Sequence, residues 1–142
     1  MKGWLLDTGP LVAYLDAKDP AHAEVAACLG GFSGQLSTTS AVITEAMYFV
    51  SVSASGPGLL ADFVTASNMQ VYDFAQPKAL REAATLMAKY ANVPMDYADA
   101  TLVLLAEYLG LEDILTLDRR GFSTYRMKRR QPLRQVLDQF LS

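Results

Sequence analysis

Gly3-Trp4-Leu5-Leu6-Asp7-Thr8-Gly9-Pro10 is a short apolar run that stops on an acid and turns at once. Residues 3–6 read as a buried strand. Thr8-Gly9-Pro10 reads as a sharp turn opening a helix, with Thr8 as a capping hydroxyl and Pro10 tolerated in the first turn. That helix carries Leu11, Val12 and Leu15 and stops near Asp16. Ile114-Leu115-Thr116-Leu117-Asp118 has the same form late in the chain, an apolar strand that ends on an acid.

Strands and helices alternate between these two segments. Residues 35–38 and 69–72 read as two more strands. One helix starts at Asp19-Pro20 and ends at Gly30-Gly31, and a second is capped by Thr39 or Ser40 and runs through Glu45 and Tyr48. Residues 53–58 read as a loop and 59–67 as a helix. Gln76-Pro77 begins a long helix whose Leu80, Ala83, Ala84, Met87 and Tyr90 recur near a period of 3.6. Pro94 breaks the chain, and the next helix runs from Asp96 to Gly110. After Asp118 the sequence predicts a short strand over 122–125 and a last helix over 132–140. This alternation implies an α/β fold with a mostly parallel sheet covered on both faces. In such sheets the functional crevice lies at the carboxyl ends of the strands.

The chain has 142 residues, which suits one domain over 1–142. It is 51% hydrophobic and 19% charged, enough apolar content to bury a core. One cysteine, Cys28, excludes an internal disulfide and a cysteine zinc site, and its apolar neighbours read it as a small buried side chain. One histidine, His22, excludes a histidine cage and reads as a solvated helix residue. Asp7 and Asp16 interrupt the first apolar stretch too early for a signal peptide, and nothing approaches the roughly 20 apolar residues of a membrane span. A cytoplasmic protein is expected. Net charge is −3, but seven of the twelve basic residues fall within 119–134. Arg119, Arg120, Arg126, Lys128, Arg129 and Arg130 form the dense part of this run, so an acidic body carries a basic end.

Several acids fall where the layout places the crevice. An acid directly after a buried strand costs energy unless it is solvated, paired or bound to a cation, and Asp7 and Asp118 both stand there. Glu45 lies two turns into the helix after the second strand, among Val42, Ile43, Ala46, Met47, Phe49 and Val50. Asp96 and Asp99 share one face at the start of a helix, where one acid would suffice as a cap. Thr116 precedes Asp118 by two residues and points to the same side of the strand. Carboxylates crowded together cannot all stay ionised without compensation. A hard divalent cation supplies it, and an oxygen-only donor set favours Mg²⁺ or Mn²⁺. Such an ion activates water and clamps an in-line displacement at phosphorus, and the adjoining basic run can hold other phosphates of a polyanion.

Taken in order, the segments resemble a known family. Leu5-Leu6-Asp7-Thr8-Gly9-Pro10-Leu11-Val12, Thr38-Thr39-Ser40 with Glu45, Asp96-Tyr97-Ala98-Asp99-Ala100 and Leu115-Thr116-Leu117-Asp118-Arg119-Arg120-Gly121-Phe122 resemble the PIN domain, in particular bacterial VapC-like toxins. The resemblance covers almost the whole chain. It implies a three-layer α/β/α sandwich and a Mg²⁺- or Mn²⁺-dependent endoribonuclease, the toxin of a type II toxin–antitoxin pair. It matches the four acidic positions to Asp7, Glu45, Asp99 and Asp118, with Asp96 as an additional acid and Thr116 and Thr8 as auxiliary hydroxyls. It also implies a homodimer neutralised by a small antitoxin. One departure is Gly121 before Phe122, where the family often has an acid.

Two other readings are weighed against this one. A non-catalytic PIN-like RNA-binding or regulatory module tends to lose acids, and this chain keeps all four. An aspartyl phosphatase wants a second acid two residues after the strand-end Asp, where this chain has Gly9. A receiver wants paired acids after the first strand and a lysine late in the sheet, whereas Trp4-Leu5-Leu6-Asp7 offers one acid and Thr116-Leu117-Asp118 offers no lysine.

Overall fold

The computed structural model describes residues 3–141. Its sheet is built around β1 (Gly3–Leu6). Leu5 and Leu6 are consecutive, so their side chains leave opposite faces of the strand, and both are fully buried. Ile114 and Leu115 of β4 (Asp113–Leu115) are buried in the same way. Both faces of the sheet are therefore covered, as an all-parallel sheet requires. β2 (Gln35–Thr39) and β3 (Gln70–Tyr72) extend it on one side of β1, and β4 and β5 (Arg134–Gln135) on the other. The order is β3-β2-β1-β4-β5, with every pairing parallel. The expected α/β architecture is the one found.

The connections are helical. α1 (Thr8–Leu15) and α2 (His22–Gly30) link β1 to β2, and α3 (Ser40–Val50) and α4 (Gly56–Ala66) link β2 to β3. The chain then returns through α5 (Pro77–Lys89) and α6 (Tyr97–Leu109) to lay β4 on the far side of β1. α6 is buried on nearly every side, from Ala98 through Ala106, and packs on β2, α3 and α5. Gly110 ends it with φ of 68°, a left-handed cap that costs glycine little. The winding reverses between β1 and β4. At such a switch point the neighbouring connections leave in opposite directions and open a crevice at the strand ends. Among the described residues no helix is long and apolar enough to cross a membrane.

Local departures from the sequence reading have physical causes. Residues 122–125 form no strand. They belong to α7 (Arg119–Thr124) and its C-terminal cap Tyr125, because the Asp118 side chain accepts the Gly121 N–H and starts a helix three residues after β4 ends. Residues 132–135 do not begin the last helix. They lead into β5, where Arg134 N–H donates to the Glu112 carbonyl, and α8 (Val136–Leu141) follows. α4 starts at Gly56, inside the expected loop, with Pro57 in its first turn. His22 is not a solvated residue. It is half-buried, and its Nδ1 donates to the Ala13 carbonyl at 2.8 Å, tying α2 to α1. Cys28 is buried, as read from its neighbours.

Candidate active site

Asp7 leaves the end of β1 and starts α1. Its Oδ1 accepts the Thr8 N–H at 2.8 Å, so Asp7 is the cap and Thr8 the first helical residue. The Thr8 hydroxyl is buried without a hydrogen-bond partner among the described residues. Asp7 Oδ2 accepts the Thr116 hydroxyl at 2.7 Å. Asp7 is only 7% exposed, and burial pushes its carboxyl up to about 6. The hydrogen bonds from Thr116 and Thr8 oppose that rise, while the charges of Glu45 and Asp118 add to it.

Thr116 lies immediately beyond β4. It donates to Asp7 and accepts the Asp118 N–H at 3.0 Å, so one hydroxyl joins the ends of two strands. Asp118 caps α7 through Oδ1, which accepts the Gly121 N–H at 3.0 Å. A Cβ at Gly121 would overlap the Asp118 carboxylate and press on the Tyr125 hydroxyl. Any side chain in place of Gly121 would therefore have to displace Asp118 in this chain.

Asp96 and Asp99 form a reciprocal cap at the head of α6. Asp96 Oδ1 accepts the Asp99 N–H at 2.8 Å, and Asp99 Oδ2 accepts the Asp96 N–H at 3.1 Å. First-turn capping is thus the structural role of Asp96. Asp99 is pushed well above the ordinary carboxylate range, first by burial and then by the charges of Asp96 and Asp7. Glu45 is half-buried on α3, with Phe49 one turn further along.

Asp7, Thr8, Glu45, Asp96, Asp99 and Asp118 all line one open groove of about 560 Å³. It sits at the carboxyl ends of β1 and β4, where the winding reverses. The acids are spread along its walls. Among the described residues, no three acidic or histidine side chains are already gathered as a metal cage.

The sequence is 33% identical to Ribonuclease VapC26 of Mycobacterium tuberculosis over 126 residues, 86% of this chain and 91% of that protein. The chain belongs to the VapC family of ribonuclease toxins. No family model matches it. The VapC fold is found again in the crystal structure of Mycobacterium tuberculosis VapC20, a Sarcin-Ricin loop cleaving toxin. That comparison has a TM-score of 0.70 at 14% identity and covers 82% of this chain and 91% of that one. VapBC2 of Rickettsia felis, solved bound to a DNA fragment from its promoter, matches with a TM-score of 0.57 at 17% identity, over 80% and 86% of the two chains.

In this VapC chain the basic run stays out of the groove. Arg119 pairs with Asp138 at 2.9 Å and Arg129 with Glu112 at 3.2 Å. Arg126 donates to the carbonyls of Ser123, Thr124 and Tyr125 at the end of α7. Arg120, Lys128 and Arg130 are exposed and form no ion pair among the described residues.

Two groups escaped the sequence reading. Asp19 lines the groove, although it reads only as a helix-start signal; its Oδ1 accepts the Ala21 N–H at 2.8 Å. Tyr125 is 2% exposed, and its hydroxyl lies 3.2 Å from Asp99 Oδ2. The missed signal was a helical one. Tyr125 follows Asp118 by seven residues, two turns, which puts both on one face once 119–124 is helical.

Proposed function

We propose that this VapC ribonuclease is a single-domain, Mg²⁺- or Mn²⁺-dependent endoribonuclease in which Asp7, Glu45, Asp99 and Asp118 hold the metal directly or through water, with Asp96 in support. The observation that carries the reading is that all four acids line one groove in which burial and mutual repulsion drive Asp7 and Asp99 toward the neutral form. A cation reverses that balance. The donor set fits a hard divalent ion, being entirely oxygen, and the buried Thr8 hydroxyl beside Asp7 offers one more oxygen without a partner among the described residues. A spread of carboxylates suits Mg²⁺, which keeps several waters and uses few protein ligands.

Such an ion, when bound, supplies Lewis acidity toward a phosphodiester and lowers the cost of ionising a water. The chain's own residues supply the rest. Thr116 and the Thr8 N–H fix both oxygens of Asp7, and Gly121 N–H fixes Oδ1 of Asp118. Carboxylates held this way need little reorganisation when the charge of an RNA phosphate arrives. Arg120, Lys128 and Arg130 form no ion pair among the described residues and are the cations left to meet outlying phosphates of an RNA, with Arg119, Arg126 and Arg129 already engaged. RNA cleavage with added Mg²⁺ or Mn²⁺, compared between wild type, Asp7→Asn and Asp99→Asn, tests the mechanism. Cleavage that persists unchanged in both variants sinks it.

The proposal extends to partners: a homodimer acting in the cytoplasm and held inactive by a small antitoxin. Exposed Tyr48 and Val52, beside the groove-lining Phe49 at the end of α3, support a protein-binding surface there. Co-expression with the product of the adjacent reading frame tests it: co-purification and loss of RNA cleavage are expected.

A further inference from the structure

Tyr125 is anchored before it reaches the site. Its ring packs edge-on against Tyr90 at 5.2 Å and against Phe122 at 5.1 Å, so the hydroxyl has little freedom to wander. The backbone is held too, because Tyr125 N–H donates to the Gly121 carbonyl and the next N–H, Arg126, donates to the Tyr90 hydroxyl at 2.9 Å. The Tyr125 hydroxyl has two acceptors in range, Asp99 Oδ2 at 3.2 Å and the Pro94 carbonyl at 3.5 Å. It carries one proton, and the carboxylate is both the nearer and the more strongly charged acceptor.

Both hydrogen bonds on the Asp99 carboxylate fall on Oδ2, from Asp96 N–H and from Tyr125. Oδ1 accepts none among the described residues, and Asp99 lines the groove. We propose that Tyr125 is a positioning residue for the metal site: it clamps Oδ2 of Asp99 and leaves Oδ1 to hold a divalent ion. This rests on the reading of Asp99 as a metal ligand. Tyr125 and Thr116 are then paired devices, each fixing one of the two most perturbed acids with a neutral hydroxyl. A neutral donor is the right choice here, because a cationic one would compete with the metal for the carboxylate.

The test is Mn²⁺ binding by calorimetry, with thermal melts of the metal-free protein. Tyr125→Phe removes one oxygen and keeps the ring. The dissociation constant for Mn²⁺ is expected to rise about tenfold, the usual effect of losing an outer partner of a metal ligand. RNA cleavage should fall at low Mn²⁺ and recover at high Mn²⁺, with KM for RNA unchanged. Tyr97→Phe is the control, since it loses a hydroxyl bonded to the Phe74 carbonyl and takes no part in holding Tyr125; it should lower Tm and leave Mn²⁺ affinity alone. Wild-type Mn²⁺ affinity in Tyr125→Phe, alongside a loss in Asp99→Asn, would overturn the role of Tyr125 and leave the carboxylate site standing. Wild-type affinity in Asp99→Asn as well would overturn both.

Discussion

The Thr116 hydroxyl donates to Asp7 Oδ2 at 2.7 Å across 109 positions of sequence, and it accepts the Asp118 N–H at 3.0 Å. One small side chain thus sets the relative position of two acids that close the strands β1 and β4.

Replacing Thr116 with Val keeps the shape and deletes both bonds. The buried Asp7 oxygen loses its partner, at a cost of about 1–3 kcal/mol in stability. RNA cleavage is expected to fall about 10- to 100-fold. Thr116→Ser should recover most of both. Chemical denaturation and cleavage rates on the three proteins check this, and a fully active Thr116→Val would remove Thr116 from the machinery.

Burial sets the pH response of the metal-free protein. Asp7 has an ordinary value of 3.8 and a folded value of about 6. The folded state therefore binds this proton more tightly than the unfolded chain. The stability it contributes is fully present below 3.8 and is lost as pH rises through about 6. The loss amounts to about 3 kcal/mol at most. Asp99, shifted in the same direction, extends the loss to higher pH. Metal-free Tm should be lower at pH 7.5 than at pH 5, after allowing for other groups, and added Mn²⁺ should stabilise more at pH 7.5. A metal effect equal at both pH values would contradict the argument.

Asp7→Asn makes the same point without titration. Removing a buried charge should raise the metal-free Tm at pH 7.5 while abolishing cleavage. A site residue whose loss stabilises the fold is one kept for its chemistry. A lower Tm in Asp7→Asn would mean that the cap to Thr8 outweighs the cost of the buried charge.

Gly121→Ala puts a methyl group into the space of the Asp118 carboxylate and tight against the Tyr125 hydroxyl. The α7 helix can persist, since alanine favours it. Asp118 must move, and a displacement on the order of 1 Å can cost about 100-fold in rate. Far-ultraviolet circular dichroism should stay native while cleavage drops. Full activity would show that Asp118 tolerates a different seat.

The basic residues divide into two groups. Alanine at Arg120, Lys128 or Arg130 should raise KM for RNA and flatten its salt dependence, by about one unit of log–log slope for each phosphate no longer neutralised. Alanine at Arg119 or Arg129 breaks the ion pairs to Asp138 and Glu112, and because these are exposed the effect on stability should be small. Cleavage measured over a salt series separates the two groups.

The sequence made the central strands legible because Leu5-Leu6 of β1 and Ile114-Leu115 of β4 are buried on both faces and read as apolar pairs. The groove acids were legible for a related reason: Asp7 and Asp118 stand where such runs end, and Glu45 is an acid among apolar neighbours. The C-terminal part was harder. Phe122 and Tyr125 are buried and aromatic, which resembles a strand, yet a single side-chain bond from Asp118 to Gly121 N–H decides for helix. β5 is two residues long and owes its place to pairing with β4, which no local pattern announces. Tyr125 could not be tied to Asp99 from sequence, because their meeting depends on how α7 docks beside α6. Asp19 reads as an ordinary turn acid, and only the packing of α1 and α2 brings it to the groove.

The reversal of winding between β1 and β4 also has a consequence in time. Asp7 is made before the strand that seats Thr116 beside it, with 109 positions between the two residues. Asp118 and Tyr125 come later still. A growing chain that already carries Asp7, Glu45 and Asp99 has half a groove and no partner strand for one flank of β1. Until β4 is made and docked on β1, the hydroxyl that fixes Asp7 is missing and that flank of the groove stays open.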